Sequence, residues 1–200
     1  GWAYDIGYNG LDHILHSNEN IKILVLDTEV YSNTGGQSSK SSPKGAIASF
    51  ASSGKKTNKK DLARIALSYP DAYVAQVSLG ANPMQTIKAF KEANEYNGPA
   101  IIIAYTPCIS HGIKGGIERS IDMEKLATAS GYFLTFRRHP KEGFTLDSKN
   151  IDFEKYDEFL NSQTRFSMLK TINPEKAEEL LESNKDNAIR TFDYYEELSK

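Results

Sequence analysis

Three short apolar segments that alternate with stretches of helical spacing constrain the fold of this chain most strongly. The three predicted strands are Ile21–Asp27, Asp71–Val77 and Ala100–Tyr105. The helical patterns that precede them cover Trp2–His16, Lys60–Tyr69 and Pro83–Glu95. The third strand is continuously apolar, as a strand covered on both faces requires, whereas the second alternates enough to predict partial exposure. The alternation predicts an α/β fold with a doubly wound, mainly parallel sheet.

The second half of the chain predicts a smaller set of elements. Helical spacing runs from Asp122 to about Gly131, the next strand covers Tyr132–Arg137, and Phe144–Asp147 forms its hairpin or neighbouring partner. Residues 174–200 predict an acid-rich helix with a solvated face. The Tyr194–Tyr195 pair packs this helix onto the body of the protein, or the helix docks on another part of a larger protein or on a second subunit. We therefore expect a single domain over residues 1–200, with 151–200 as its helical C-terminal extension.

Composition narrows the class of protein. The 200 residues are 39% hydrophobic and carry a formal charge of -2, as in an ordinary soluble domain. This net charge does not favour binding to nucleic acid or to a membrane surface. No run of about 20 apolar residues and no signal-peptide pattern is present. A single cysteine rules out an internal disulfide framework. Cytoplasmic residence is the expected location.

The loop after the first predicted strand, Asp27–Gln37, has the composition of a binding site. Ligands of open parallel sheets bind beyond the carboxyl ends of the strands, so a phosphate-bearing ligand is expected here. Gly35 and Gly36 allow a ligand to approach the main chain. The hydroxyl of Thr28 and the carbonyl of Val30 suit a hard cation or a polar cofactor group. An ordinary turn is the alternative, because Gly, Asn and Ser are common turn formers.

A basic segment follows this loop. Residues 40–64 hold seven lysines and arginines against one acid, Asp61. The segment is either a solvated, mobile connector or a surface that faces anions, such as the phosphates of coenzyme A or an acidic electron carrier.

The end of the third strand carries the lone cysteine, Cys108. On composition alone, a cysteine in this position is most often a small core residue. His111 follows three positions later, but one Cys-x-x-His pair is weak support for zinc. The remaining histidines show no partner spacing and are expected at the surface or in structural roles. The serines of the first loop lack a Gly-x-Ser-x-Gly pattern, so nothing supports a serine nucleophile.

The order of residues in three segments closely resembles the thiamine-diphosphate-binding domain of pyruvate:ferredoxin (or flavodoxin) oxidoreductases. These segments are Gly1–Gly7, Gly10–His13 and Asp27–Lys40, and the later segments Leu146–Lys149 and Asn161–Phe166 are also similar. The family's cofactor motif begins Gly-Asp-Gly, and Gly1 occupies its last glycine. The resemblance implies the thiamine-diphosphate-binding fold, in a fragment of a longer polypeptide that lacks the first strand.

The resemblance also implies a set of site residues. The Thr28 side chain and the Val30 carbonyl match the magnesium ligands, and the third ligand, the motif aspartate, would precede Gly1. Asn33 matches the catalytic residue beside the reacting carbon of thiamine. The residues expected at the cofactor are Gly1, Trp2, Thr28, Glu29, Val30, Tyr31, Ser32 and Asn33.

Cys108 gains a second interpretation from the resemblance. It matches the last of four thiolates that hold the 4Fe-4S cluster nearest the thiamine, and the other three lie upstream of the cofactor motif. One thiolate cannot hold such a cluster. The isolated chain is therefore expected to be colourless and inactive.

The implied activity is oxidative decarboxylation of pyruvate to acetyl-CoA and CO2, with electrons passed through iron-sulfur clusters to ferredoxin or flavodoxin. The implied cofactors are thiamine diphosphate, Mg2+ and the 4Fe-4S cluster. The implied partners are the remaining domains of the same enzyme, pyruvate, coenzyme A, the electron acceptor and, for the full-length enzyme, a second copy in a homodimer. The alternatives are a related 2-oxoacid:ferredoxin oxidoreductase with another substrate, or a non-catalytic folded fragment.

Overall fold

A computed structural model describes residues 1–200 of the chain as an α/β structure. The strands are β1 (Lys22–Asp27), β2 (Tyr73–Val77), β3 (Ala100–Tyr105), β4 (Phe136–His139) and β5 (Gly143–Leu146). The helices are α1 (Tyr8–His16), α2 (Leu62–Ala66), α3 (Pro83–Glu95), α4 (Ser120–Ala129), α5 (Tyr156–Asn161), α6 (Thr164–Ser167), α7 (Leu169–Ile172) and α8 (Pro174–Leu198). A π-helix covers Trp2–Ile6, and 3-10 turns cover Ile109–His111, Ile117–Arg119 and Phe153–Lys155. No helix combines the length and the apolar character that a membrane span requires.

The five strands form one sheet in the order β1-β3-β2-β4-β5. The first three are parallel, whereas β4 pairs antiparallel with β2 and with β5. Asp27, the last residue of β1, lies opposite Tyr105, the last residue of β3. The loops that follow these two strands therefore start side by side at the same edge of the sheet, which is where the sequence predicted a ligand.

Helices cover both faces of the sheet. On one face, α1 and α2 pack through Leu11, Leu15 and Leu62 against Val25, Val74, Ile101, Ile103 and Phe136. On the other face, α3 packs through Ala89 and Ala93 against Ala75, Val77 and Ile102. The predicted doubly wound, mainly parallel α/β architecture is confirmed.

Several predicted element boundaries were wrong. The N-terminal helix is interrupted at Gly7, whose φ of -93° and ψ of 9° separate the π-helix from α1. The helix predicted over residues 60–69 is shorter in the structure, where it is α2. It begins after Asp61, because the Asp61 side chain accepts a hydrogen bond from the Arg64 backbone N–H at 2.9 Å. The strand predicted at residues 132–137 begins at Phe136, and Tyr132 instead packs on Phe159 with ring centroids 4.2 Å apart.

The prediction of partial exposure for the second strand was also wrong. In β2, Tyr73, Val74 and Ala75 are completely buried, because the strand lies between β3 and β4 with a helix on each face. Gln76, the polar residue of β2, is half-buried and donates to the Leu134 carbonyl at 3.0 Å.

The C-terminal helix packs on the body through the tyrosine that the sequence singled out. Tyr195 is 1% exposed, and its ring lies parallel to that of Phe144 at 5.8 Å. Its hydroxyl is 3.0 Å from both carboxylate oxygens of Asp61. Tyr194 is only half-buried and lies under the Arg64 guanidinium. The expected packing of the Tyr194–Tyr195 pair is thus confirmed, with Tyr195 as its buried member.

Replacing these neighbouring tyrosines separately tests this packing. Tyr195→Ala should lower the free energy of unfolding by about 3–5 kcal/mol, because it removes a buried aromatic ring. Tyr194→Ala is the comparison variant and should cost less, about 1–2 kcal/mol, because its ring is half-buried and packs on Arg64 and Tyr195. Urea unfolding followed by circular dichroism measures both. Equal losses for the two variants would show that α8 does not dock through Tyr195.

Candidate cofactor-binding site

The polar loop after β1 folds back on itself. The Gly36 N–H donates to the Tyr31 carbonyl at 2.9 Å, and the Tyr31 N–H donates to the Gln37 carbonyl at 2.9 Å. Gly35 and Gly36 have φ values of +113° and +78°, in the region that favours glycine. The special backbone freedom expected of this glycine pair is therefore confirmed.

The two expected magnesium ligands lie next to each other within this loop. The Thr28 hydroxyl donates to the Val30 carbonyl at 3.1 Å. Adjacent ligands of an octahedral Mg2+ ion are about 3 Å apart, since each lies 2.0–2.1 Å from the metal. The pair therefore fits two neighbouring positions around such an ion. No group of three or more His, Cys, Asp or Glu side chains is arranged to hold a metal.

The remaining predicted cofactor residues divide into two groups. Gly1 lies against Tyr31, since a Cβ atom on Gly1 would be 2.5 Å from the Tyr31 ring. Trp2 is 48% exposed and packs against Gly7. Ser32 and Asn33 are exposed on the loop. The structure thus brings Gly1 and Tyr31 together, and their roles, with those of Trp2, Ser32 and Asn33, stay predictions.

The Glu29 side chain lies in the interior rather than at the loop surface. The residue is 2% exposed. One carboxylate oxygen is 2.7 Å from the Lys59 ammonium, and the other is 2.7 Å from both the Arg165 guanidinium and the Tyr132 hydroxyl. Its carboxylate is therefore engaged in an ionic cluster, and its predicted contact with the cofactor stays a prediction.

Asp27 extends the same cluster. Its carboxylate accepts from the Lys59 ammonium at 2.6 Å, from the Tyr4 hydroxyl at 2.7 Å, from the Glu29 backbone N–H at 3.1 Å and from the Ser41 hydroxyl. Lys59 thus bridges the acids on either side of Thr28. We call Asp27, Glu29, Lys59 and Arg165 the buried charge cluster.

Sequence reasoning missed the buried charge cluster. Lys59 was only one of seven basic residues in a segment interpreted as a solvated connector or an anion-facing surface. The connector interpretation was wrong, because Ser41, Ser42 and Ala46 are buried within this segment. The only local signal was the pair of acids around Thr28, and nothing near it indicates Arg165, which lies 136 positions from Glu29.

Burial would raise the pKa of the Glu29 carboxyl, but the Lys59 ammonium and the Arg165 guanidinium outweigh burial and lower that pKa to about 2. Burial disfavours the charged form of Lys59, yet Asp27 and Glu29 raise its pKa above the ordinary value. Both residues are therefore charged at neutral pH.

His111 connects the loop after β1 with the turn that holds Cys108. Its Nε2 atom is 2.7 Å from the Thr28 carbonyl, and its Nδ1 atom accepts from the Cys108 backbone N–H at 3.4 Å. Burial and then the Arg165 guanidinium lower the His111 pKa to about 3, so the imidazole is neutral and Nε2 donates. His111 serves a structural role that its sequence spacing did not reveal.

Cys108 is 8% exposed and follows the end of β3. Its sulfur accepts from the Ser110 backbone N–H at 3.4 Å. A four-iron cluster takes four ligands, and this chain contains one cysteine, so the chain by itself does not provide a cluster site.

The doubly wound sheet, with a polar glycine loop and a pair of metal-compatible oxygens at its carboxyl edge, defines a cofactor-binding α/β domain. Residues 1–104 match the family model described as the thiamine pyrophosphate enzyme, C-terminal TPP binding domain. The chain belongs to this family of thiamine-diphosphate-binding domains.

Similarity to known enzymes extends along the whole chain. It is 47% identical to the pyruvate-flavodoxin oxidoreductase of Klebsiella pneumoniae and to the pyruvate:ferredoxin oxidoreductase of Moorella thermoacetica, and all of this chain aligns with 17% of each enzyme. It is 46% identical to the mitochondrial pyruvate dehydrogenase [NADP(+)] of Euglena gracilis, over 99% of this chain and 11% of that protein. The resemblance drawn from the sequence is confirmed.

A solved structure supports the same relationship. The 2-oxoglutarate:ferredoxin oxidoreductase from Magnetococcus marinus, with 2-oxoglutarate, coenzyme A and succinyl-CoA bound, has a TM-score of 0.50 and 27% sequence identity. The match covers 54% of this chain and 36% of that one.

The pKa of Glu29 generates a prediction about acid stability. Because this pKa lies below the ordinary value of 4.5, the charged carboxylate stabilises the folded chain above pH 4.5, and this contribution is lost as the pH falls toward 2. Glu29→Gln should lower the free energy of unfolding by about 3 kcal/mol at pH 7. The difference from the unsubstituted chain should shrink between pH 4.5 and 2.

Denaturant unfolding at a series of pH values, without metal or cofactor, measures this difference. The exposed Glu197→Gln on α8 provides a control that should leave stability within about 0.5 kcal/mol at every pH. A difference for Glu29→Gln that stays constant down to pH 2 would contradict the ion pairing described here.

Proposed function

We propose that this chain is the thiamine-diphosphate- and Mg2+-binding part of a pyruvate:ferredoxin or pyruvate:flavodoxin oxidoreductase. The proposed reaction is oxidative decarboxylation of pyruvate to acetyl-CoA and CO2. The observation that carries the proposal is the placement of the Thr28 hydroxyl and Val30 carbonyl, 3.1 Å apart, in the loop at the carboxyl edge of the sheet. The 47% identity along the whole chain supports the choice of enzyme.

The residues of the loop have distinct proposed roles. Thr28 and Val30 bind Mg2+, which neutralises the diphosphate. Gly1 and Tyr31, in contact with each other, line the cofactor pocket together with Trp2, Ser32 and the Glu29 segment. Asn33 is exposed on the loop and would place its amide beside the reacting carbon of thiamine diphosphate. Thiamine diphosphate, when bound, supplies the electron sink that decarboxylation of a 2-oxoacid requires.

Cys108 is proposed as one thiolate ligand of a 4Fe-4S cluster, with the other three ligands supplied from outside this chain. Its position supports this role, because Cys108 and Thr28 follow neighbouring strands and are joined through His111. Electrons would then pass to ferredoxin or flavodoxin. The other domains of the enzyme, coenzyme A, a homodimeric state and a cytoplasmic location belong to the same proposal.

A second substrate class is favoured by a separate observation, the structural similarity to a 2-oxoglutarate:ferredoxin oxidoreductase. Turnover of a panel of 2-oxoacids by the full-length protein, with ferredoxin and flavodoxin as acceptors, separates the two candidates. Preference for pyruvate supports the first proposal, and preference for a larger oxoacid supports the second.

Replacement of Thr28 tests the cofactor site. Thr28→Ala should weaken the affinity of the full-length protein for Mg2+, at saturating thiamine diphosphate, by at least about tenfold, equivalent to about 1.4 kcal/mol. The reason is the loss of one of the metal's oxygen ligands. Titration calorimetry of the full-length protein measures the affinity.

The matched control is Thr171→Ala, an exposed threonine on α7 that should leave Mg2+ affinity unchanged. Equal affinities for Thr28→Ala and the unsubstituted protein would refute the assignment of Thr28 as a metal ligand.

Replacement of Cys108 tests the iron-sulfur proposal. In the full-length protein, Cys108→Ala should remove one cluster, about four iron atoms per protomer, because a 4Fe-4S cluster depends on each of its thiolates. Iron content and the electron paramagnetic resonance spectrum of the reduced protein measure the loss. Ser110→Ala, two residues away, is the control. An unchanged iron content in the cysteine variant would assign Cys108 to the core instead.

A further inference from the structure

The residue between the two proposed magnesium ligands has an unusual backbone. Glu29 has a φ of +57°, in the left-handed region that residues other than glycine seldom adopt. Thr28 and Val30 flank it directly, so the conformation of Glu29 determines how their two oxygens face each other. Such a conformation persists where the surrounding contacts hold it in place.

Contacts to the Glu29 carboxylate come from distant segments of the chain. Lys59 binds one oxygen, while Tyr132 and Arg165 bind the other, all at 2.7 Å. Arg165 lies on α6, within the C-terminal region 151–200, and its side chain is 4% exposed. Its Nε donates to the Gln163 side chain at 2.8 Å, which fixes the orientation of the guanidinium.

A further contact anchors Arg165 to the segment that follows the cofactor loop. Its backbone carbonyl accepts from the Ile47 N–H at 2.7 Å. Arg165 is therefore held through both its side chain and its backbone. Its guanidinium presents a positive charge in a fixed position to Glu29. The opposite side of the loop is held by His111 through the Thr28 carbonyl, a neutral contact that does not involve the carboxylate.

We propose that Arg165 is a positioning residue of the cofactor site: by ion pairing with Glu29 it holds the backbone that aims the Thr28 hydroxyl and the Val30 carbonyl at one metal ion. The C-terminal region is then an essential part of the Mg2+ site, although it contributes no ligand to it. Residues that contact the ligands of a metal ion orient those ligands. Replacing such residues commonly weakens the affinity for the metal by about 10–100-fold. This inference rests on the proposed role of Thr28 and Val30 in binding Mg2+ with thiamine diphosphate.

The test measures Mg2+ affinity of the full-length protein at saturating thiamine diphosphate, by titration calorimetry. Arg165→Met should weaken it by about 10–100-fold, and Arg165→Lys, which retains the charge, by less. Tyr132→Phe removes one hydrogen bond to the same carboxylate oxygen and should weaken affinity by about twofold to threefold. Circular dichroism and the unfolding midpoint establish whether each variant is folded. If Arg165→Met does not fold, the affinities of Arg165→Lys and Tyr132→Phe decide the test.

A double-mutant cycle with Glu29→Gln separates positioning from general destabilisation. If Arg165 acts through Glu29, the double variant should bind Mg2+ about as weakly as the weaker single variant. If the two losses add, Arg165 acts by another route and the proposal is wrong.

Arg137 offers a matched control. It is also buried and ion-paired, with Asp147 at 2.9 Å and Glu92 at 2.6 Å, but it lies on β4. Arg137→Met should lower stability and leave Mg2+ affinity unchanged. Equal effects of Arg137→Met and Arg165→Met on affinity would overturn the proposal, as would unchanged affinity in folded Arg165 variants.

The unsubstituted protein separates this inference from the function on which it rests. If it binds neither Mg2+ nor thiamine diphosphate, the proposed function itself fails. If it binds both and the Arg165 variants bind equally well, only the positioning role fails.

Discussion

The ion pairing of Lys59 with Asp27 and Glu29 is the interaction on which the site depends. Two carboxylates and two cations, Lys59 and Arg165, meet in the interior, so their formal charges balance. Charges are buried at low cost only when they are paired and hydrogen-bonded. Removing one member leaves the others uncompensated and typically costs about 3–5 kcal/mol. The cluster therefore binds the β1 loop, the basic segment and the C-terminal region into one unit.

The parallel pairing of β1 with β3 supplies the second constraint. Because Asp27 and Tyr105 are in register, the loop after β1 and the Cys108 turn leave the sheet together. The imidazole of His111 then joins the Thr28 carbonyl to the Cys108 N–H. Two segments that the proposed function assigns to different cofactors are thus linked by one neutral side chain, which fixes their separation.

Family membership and local geometry support each other in the proposed function. The β1 loop lies within residues 1–104, which match the thiamine-diphosphate-binding family model. In this loop the Thr28 hydroxyl and the Val30 carbonyl are 3.1 Å apart, a spacing suitable for two neighbouring ligands of Mg2+. The C-terminal region supports the same loop through Arg165, so its importance extends beyond packing.

Local sequence signals determined most of the fold. Continuous apolar residues defined β3, Pro83 marked the start of α3, and the glycine pair marked the closed loop after β1, because each depends on near neighbours in the chain. The order of residues in Gly1–Gly7, Gly10–His13 and Asp27–Lys40 also identified the family. Tertiary structure alone decided the burial of β2, the inward direction of Glu29 and its pairing with Lys59 and Arg165. These features depend on packing and electrostatic balance between distant residues, for which the chain carries no local pattern. Glu29, for example, is 30 positions from Lys59 and 136 from Arg165.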